Sequence, residues 1–79
     1  MTRSHFTIIA EMLRAARQGA KKSRIMYACN LSYKATEEYI TYLLDAGLLR
    51  IGNSFHTTEK GFRFLKAYQI IELLLTTKS

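Results

Sequence analysis

Proline and tryptophan are absent from this 79-residue chain, and cysteine occurs once. A single thiol cannot form an internal disulfide, and because the N-terminus has no secretory signal pattern, we expect a reducing cytoplasm. The longest apolar run, 70–75, is interrupted by Glu72 and is far shorter than the ~20 residues that a bilayer-spanning helix needs. These absences argue against a disulfide-rich secreted domain and against a membrane-embedded protein.

Groups that perform catalysis or bind metals are also scarce. His5 and His56 belong to different predicted elements, and Cys29 has no companion at metal-ligand spacing. Glu37 and Glu38 are adjacent and therefore point to different faces of a helix. We expect no enzyme activity, no metal, no cofactor and no small-molecule ligand.

Acidic residues are few, six against twelve lysines and arginines, which gives a net charge of +6. Such a surplus on a small chain attracts polyanions, of which nucleic acid is the commonest. Charge alone is equally consistent with a basic soluble protein of another function. A chain of this length forms one domain, 1–79, whose modest core needs close packing or a partner chain.

Apolar spacing predicts a first helix from Ser4 to Gly19 and a helix-turn-helix over 23–47. Ser23 and Ser32 each precede a helical pattern, where a hydroxyl can cap backbone amides. The tight turn lies at 30–32, and Gly47 ends the second helix of the pair. The expected buried positions are Phe6, Ile9, Leu13 and Ala16 in the first helix, Ile25, Ala28 and Cys29 in the second, and Thr36, Ile40, Leu43 and Leu44 in the third.

After Gly47 the periodicity changes from helical to alternating. The runs 49–51 and 55–57 alternate apolar and polar residues around a Gly-Asn turn, which predicts a β-hairpin over 48–58. Thr58 then caps a final helix, 59–76. The predicted fold is therefore mainly α with a small β-hairpin, in the order α-α-α-β-β-α of a winged helix-turn-helix.

The final helix has more apolar side chains than one protomer can bury. Phe62 and Leu65 are expected to pack on the core of the same chain. The remaining large apolar residues follow a coiled-coil spacing, and we expect a second copy of the chain to cover them. The alternative is that the first helix of the same chain covers them. The predicted dimer interface consists of Phe64, Tyr68, Ile71, Leu74 and Leu75.

A recurrent pattern of short segments runs through these elements. It comprises Ser23-Arg24-Ile25-Met26-Tyr27, Asn30-Leu31-Ser32-Tyr33, Tyr39-Ile40, Leu43, Gly47-Leu48-Leu49, Thr58-Glu59-Lys60-Gly61, Phe64-Leu65 and Tyr68. In order and spacing it resembles the archaeal winged-helix family of small predicted transcriptional regulators, which includes coiled-coil chromatin proteins of Sulfolobales. The resemblance covers about residues 20–70. It implies a winged-helix fold, binding to double-stranded DNA, and homodimers held by the C-terminal helix, often as an antiparallel pair.

The chain departs from that pattern in two places, at Thr36, where an apolar residue is usual, and in its shorter terminal helix. Carried over by position, the Ser23-Arg24 segment meets the DNA backbone, Tyr33 and Lys34 open the recognition helix, and 52–54 form the tip of the wing.

Physical reasoning places DNA contacts in the same three regions. Free amides and positive charge coincide at the start of the second helix and favour phosphate. The leading end of helix 33–46 can reach base edges in the major groove, and the hairpin can reach the minor groove or the backbone. The predicted DNA-binding residues are Lys21, Lys22, Ser23, Arg24, Ser32, Tyr33, Lys34, Thr41, Arg50, Asn53, Ser54 and His56.

Glu37 and Glu38 lie on the recognition helix and would oppose phosphate, unless they pair with Lys34 or Arg50 away from the DNA. The aromatic rings of Tyr27, Tyr39 and Tyr42 are expected in the core, because tyrosine buries a large area, whereas Tyr33 is expected to be exposed. Asn53 is explained equally well by a turn with positive φ.

The sequence therefore predicts a homodimeric, sequence-specific DNA-binding protein that regulates transcription. Two alternatives stay open: a sequence-tolerant chromatin-packaging protein, and a winged-helix module that binds another protein through Glu37 and Glu38.

Overall fold

The computed structural model describes residues 3–76, which form four helices and one antiparallel hairpin. The elements are α1 (His5–Ala15), α2 (Lys22–Ala28), α3 (Tyr33–Asp45), β1 (Leu49–Ile51), β2 (Phe55–Thr57) and α4 (Glu59–Thr76). The hairpin pairs Leu49 with Thr57, Arg50 with His56 and Ile51 with Phe55. The predicted element order and both strands are confirmed. No helix within 3–76 is both long enough and apolar enough to cross a membrane.

Helix α1 ends four residues earlier than predicted, at Ala15 instead of Gly19. Gly19 has a φ of +96°, a left-handed conformation that turns the chain out of the helix. The turn delivers Ala20 to the hairpin, where its N–H donates to the Phe55 carbonyl (2.9 Å) and its carbonyl accepts from the Phe55 N–H (2.8 Å). The segment predicted to be a plain connector thus pairs with β2 through a single bridge at Ala20.

Helices α2 and α3 meet at the predicted turn, but only one of the two predicted serine caps is present. The Ala35 N–H donates to the Ser32 Oγ (3.1 Å), which caps α3. Helix α2 begins at Lys22, two residues earlier than a cap at Ser23 would place its start. Lys21 is the N-cap residue, and its side chain makes no capping hydrogen bond. Asn30 has a φ of +55° and makes the turn tight.

The core lies where α1, α2 and α3 meet above the hairpin. Its members are Ile9, Met12, Leu13, Ala16, Ala20, Ile25, Cys29, Ile40, Leu43, Leu48, Leu49 and Phe55. Thr36 is fully buried, and its hydroxyl donates to the Ser32 carbonyl (2.8 Å), so the polar residue at this position leaves no unsatisfied group. Ala28 and Phe6 were also predicted to be buried, but both are exposed, and the Phe6 side chain is 64% exposed.

The hairpin is attached to the end of α1 through Thr57. The Thr57 hydroxyl donates to the Leu13 carbonyl (2.6 Å), and the Thr57 N–H donates to the Ala16 carbonyl (3.1 Å). The Leu13 carbonyl lies in the last turn of α1, which provides no N–H donor for it, and Ala16 is the C-cap residue of the same helix. A two-stranded ribbon is marginal by itself, and these bonds fix it to the helical core.

Helix α4 starts against the end of α3. The Gly61 N–H donates to the Thr58 Oγ1 (3.0 Å), which confirms the predicted cap. Gly61 lies so close to β1 that an added Cβ would be 2.4 Å from the Leu48 carbonyl oxygen. Beyond this close approach, Phe64 and Leu65 pack on the core, while Phe62 is 43% exposed. The prediction that both Phe62 and Leu65 pack on the core was right for Leu65 and wrong for Phe62.

Candidate nucleic-acid interface

Two adjacent lysines connect the start of α2 to the two other elements of the predicted interface. The Lys21 Nζ donates to the Asn53 carbonyl at the tip of the hairpin. The Lys22 Nζ forms an ion pair with the Glu37 carboxylate on α3. The start of α2, the first turns of α3 and the hairpin tip therefore form one continuous edge of the molecule, which we call the basic edge (21–23, 32–34, 41 and 50–54).

Lys22 contacts α3 through its ion pair with Glu37 and through the face of the Tyr33 ring. Its Nζ lies 5.4 Å from the centroid of the Tyr33 ring, and the Tyr33 hydroxyl donates to the same Glu37 carboxylate (3.3 Å). The hydrogen bond from Lys22 holds the pKa of Glu37 below its usual value, and the same bond raises the pKa of Lys22. Glu37 pairs with Lys22, whereas the sequence analysis expected Lys34 or Arg50.

Of the other predicted contacts on α3, the side chains of Lys34 and Thr41 have no hydrogen-bond or ion-pair partner within residues 3–76, whereas Tyr33 contacts Lys22 and Glu37. Tyr33, Lys34 and Thr41 are all exposed, and Tyr33 is 61% exposed. Within residues 3–76, the Lys34 ammonium forms no ion pair or hydrogen bond, so its charge is available to a ligand. Side chains at the leading end of a helix are the ones that reach base edges when the helix enters a major groove.

The hairpin presents its predicted residues in two directions. Arg50 and Asn53 are exposed, and Arg50 has no ion-pair partner within the described chain. Ser54 and His56 are half-buried and share a hydrogen bond (3.3 Å). The His56 ring lies against the Gly19 turn, where a Cβ added to Gly19 would be 2.7 Å from its Cε1 atom. Asn53 does not have the positive φ that a turn interpretation would require.

Arg24 lies on the opposite side of α2 from Lys22. It lines a cleft between the end of α1 and α2, together with Arg14 and Arg17. The residues that line this cleft include no aspartate or glutamate. Residues 21–24 therefore do not form a single cluster: Lys22 faces α3, and Arg24 faces α1. Arg17 is a cation that the sequence analysis missed, because only the folded chain brings it beside Arg24.

Comparison with known proteins supports this architecture. The sequence profile described as winged helix-turn-helix matches residues 2–76 of the chain. The chain belongs to the winged helix-turn-helix family. The family resemblance that the sequence motifs indicated is thereby confirmed.

Two relatives come from the archaeon Methanocaldococcus jannaschii. The uncharacterized protein MJ0287 is 33% identical over 75 residues, which cover 91% of this chain and 77% of the relative. The uncharacterized protein MJ0290 is 38% identical over 79 residues, which cover 96% of this chain but only 37% of the relative. Our chain therefore spans little more than a third of MJ0290.

A solved structure has the same fold. The crystal structure of Sso10a-2, a DNA-binding protein from Sulfolobus solfataricus, superposes with a TM-score of 0.72. The alignment covers 96% of this chain and the whole of that one, at 21% sequence identity. At that identity the likeness shows the shared winged helix-turn-helix fold.

Two tyrosines of this winged helix-turn-helix chain lie outside the core, contrary to the sequence prediction. Tyr27 is 78% exposed, and it lines a shallow depression on α2 with Ser23 and Arg24. Tyr42 is 59% exposed on α3, while Tyr39 is half-buried. Ile25 and Cys29 form the buried face of α2, and Tyr27, two residues from each of them, lies on the opposite face. Tyr27 is therefore a further candidate for contact with a ligand of the basic edge.

The predicted dimer residues divide into two groups along α4. Phe64 and Tyr68 are half-buried against α1 of the same chain, where the Tyr68 hydroxyl hydrogen-bonds the Thr7 hydroxyl (2.7 Å). By contrast, Ile71, Leu74 and Leu75 are 52%, 73% and 81% exposed. Helix α1 thus covers the first part of the predicted dimer interface and leaves the distal part, near the end of α4, exposed. Association of two copies through this distal part stays a prediction.

Proposed function

We propose that this chain binds double-stranded DNA through the basic edge. The observation that carries the proposal is the pair of contacts made by Lys21 and Lys22, which connect the start of α2 to the hairpin and to α3. On one side of the molecule lie α3, which would read the bases, the start of α2, which would bind phosphate, and the hairpin. The resemblance in fold to a DNA-binding protein supports the proposal.

In the proposed complex, α3 lies in the major groove with its first turns toward the bases. Lys34 donates to a guanine edge or a phosphate, and Tyr33 and Thr41 provide hydroxyl donors and acceptors. Lys21 contacts the DNA backbone beside the groove, and Lys22 lies next to it with its ammonium shared between phosphate and Glu37. The hairpin, through Arg50 and Asn53, follows the adjacent backbone or minor groove.

We further propose that two copies of the chain associate through the distal part of α4. Ile71, Leu74 and Leu75 expose a contiguous apolar surface, and contiguous apolar patches of this kind mark protein interfaces. A symmetric dimer would bury the same patch on both protomers. It would also present two basic edges to one DNA molecule, which raises the overall affinity without any new contact.

We assign the protein a role as a sequence-specific transcriptional regulator in the cytoplasm, without catalytic activity. Exposed hydrogen-bonding side chains at the leading end of α3 support base readout over packaging that ignores sequence. Selection of bound duplexes from a random pool tests this role. Enrichment of a common motif is expected, whereas a pool that stays random would favour the chromatin-packaging alternative.

The DNA-binding proposal is tested by exchanging one charge at the basic edge and one elsewhere. Lys34→Glu removes an unpaired cation from α3, and Lys66→Glu makes the same charge change on an exposed position of α4. Duplex binding is measured by fluorescence anisotropy at low salt. We expect a loss of at least tenfold for Lys34→Glu, and a clearly smaller loss for Lys66→Glu. Equal losses would contradict the interface, and absence of binding by the unmodified protein would favour the protein-interaction alternative.

A further inference from the structure

A groove separate from the basic edge lies between the first turns of α1 and the middle of α3. Its volume is about 440 Å³, which falls within the range of ~300–1,000 Å³ typical of small-molecule sites. None of its lining residues belongs to the basic edge. The groove is lined by His5, Phe6, Ile9, Glu38, Tyr39 and Tyr42.

The walls of the groove are aromatic, and one of them is fixed by a hydrogen bond. Phe6 and Tyr42 are 64% and 59% exposed, although large apolar side chains are normally covered. The Tyr39 hydroxyl shares a hydrogen bond with the His5 Nδ1 atom, and the two rings lie 5.9 Å apart. Ile9, which is 6% exposed, closes the floor. The groove is therefore a preformed apolar surface.

One unpaired charge lies at this groove, and it is negative. Four of the six carboxylates of the chain form ion pairs, namely Glu11, Glu37, Glu59 and Glu72. Glu38 forms neither an ion pair nor a hydrogen bond within residues 3–76. No lysine or arginine lines the groove, although the chain has twelve of them. An anionic ligand would therefore find no partner here, and a cationic ligand would.

We propose that this groove binds an organic cation with an aromatic or apolar body, such as a primary amine attached to a ring. The ammonium group donates a charge-assisted hydrogen bond to the Glu38 carboxylate. The body of the ligand packs on Phe6 and Tyr42, and the ring faces attract the positive charge further. The sequence could not indicate this site, because its two halves come from segments about 30 residues apart.

The proposal does not depend on DNA binding. Glu38 and Glu37 are neighbours in sequence but lie on different faces of α3, one at the groove and one at Lys22. Exchange of each for glutamine removes the same formal charge from the same helix. Only the change at Glu38 alters the groove, so the Glu37 variant is a matched control.

The test is an NMR titration of the full-length protein without DNA, with phenethylamine as the probe. Two probes of similar shape, 2-phenylethanol and 3-phenylpropionate, lack the positive charge. We expect phenethylamine to shift the resonances of Phe6, Tyr39 and Tyr42 in a saturable manner, and the other two probes to bind at least tenfold more weakly. Glu38→Gln should weaken phenethylamine binding about tenfold, while Glu37→Gln should leave it unchanged.

Three outcomes would overturn the proposal. These are equal binding of the amine and the carboxylate, equal effects of the two glutamine variants, and no shift of the groove resonances by the amine. A shift of the same resonances with protein concentration alone would also overturn it, because a second copy of the chain would then occupy the groove.

Discussion

Apolar side chains occur in both halves of α4, but the surroundings of the two halves differ. In the first half, Gly61 lies against the Leu48 carbonyl, and the Phe64 ring packs 6.4 Å from Phe6 and 6.3 Å from Tyr68. In the second half, Leu74 and Leu75 are 73% and 81% exposed. Apolar periodicity predicts which residues share a face, but the reach of α1 decides which part of that face is covered within the chain. The uncovered part is the proposed dimer surface.

The largest effect on stability is expected at the anchored half of α4. In Gly61→Ala, the new Cβ would lie 2.4 Å from the Leu48 carbonyl oxygen, a backbone atom that cannot move without shifting β1. Alanine favours the helix by ~1 kcal/mol, but we expect the clash to dominate and to lower the free energy of unfolding by about 1–3 kcal/mol. Urea denaturation measures this change.

Gly52→Ala is the control, because no atom lies within 4 Å of the position that its Cβ would occupy. Its free energy of unfolding should stay within about 0.5 kcal/mol of the original value. Equal destabilisation by both variants would show that α4 is not anchored through Gly61.

At the exposed half of α4, a charge should change assembly and leave the protomer folded. Ile71 is 52% exposed, so Ile71→Glu is expected to lower the free energy of unfolding of the protomer by no more than about 0.5 kcal/mol. In a dimer the same change buries two carboxylates, which is costly without partners. Light scattering should therefore give the mass of a monomer for Ile71→Glu and of a dimer for the unmodified chain. Identical masses would reject this dimer surface.

Because Cys29 is buried in the core, we expect ionisation of its thiol to lower the free energy of unfolding at alkaline pH. Burial raises the pKa of this thiol from 9.0 to about 11. The Cys29 thiol ionises at a lower pH in the unfolded chain than in the folded one. Its contribution to the free energy of unfolding is therefore complete below about pH 9 and is lost as the pH rises from 9 to 11. At pH 10 the expected loss is about 1 kcal/mol relative to pH 8.

The measurement compares urea midpoints at pH 8 and pH 10 for the original chain and for Cys29→Ala, which retains every other titrating group. The alkaline loss should be smaller in the alanine variant by the amount due to the thiol. An identical loss in both proteins would show that Cys29 does not contribute.

The smallest effect is expected from releasing Lys22. Glu37→Gln removes the ion pair and frees the Lys22 ammonium for phosphate. The pKa of Lys22 falls back toward its ordinary value and remains far above neutral pH, so the charge is kept. Duplex affinity should rise a few-fold more than in Glu38→Gln, which removes the same charge without breaking an ion pair. Equal gains would mean that Glu37 acts only through net charge.

Much of the fold could be predicted from local sequence signals. The hairpin followed from alternation around a Gly-Asn turn, and the caps at Ser32 and Thr58 followed from hydroxyl residues placed before helical patterns. The pairing of Ala20 with Phe55 could not be predicted, because these residues are 35 positions apart. The sequence contains no local signal for a single bridge of this kind.

The sequence named the residues of the candidate site but did not predict how they are arranged. Lys22 and Arg24 are close in sequence, yet α2 directs them to opposite sides, one to Glu37 and the other to the α1 cleft. The partner of Lys22 is 15 residues away and becomes a neighbour only through the crossing of α2 and α3. Contacts of this type depend on tertiary geometry, which residue spacing along one helix does not determine.

The salt dependence of duplex binding tests the central claim most directly. If each protomer neutralises about four phosphates, a dimer releases counterions from about eight, and the logarithm of the affinity should fall with the logarithm of the salt concentration at a slope near −7, from ~0.9 per phosphate. The slope is measured by fluorescence anisotropy over a series of salt concentrations with one duplex. A slope near −7 is the predicted result, and a slope near zero would contradict DNA binding through the basic edge.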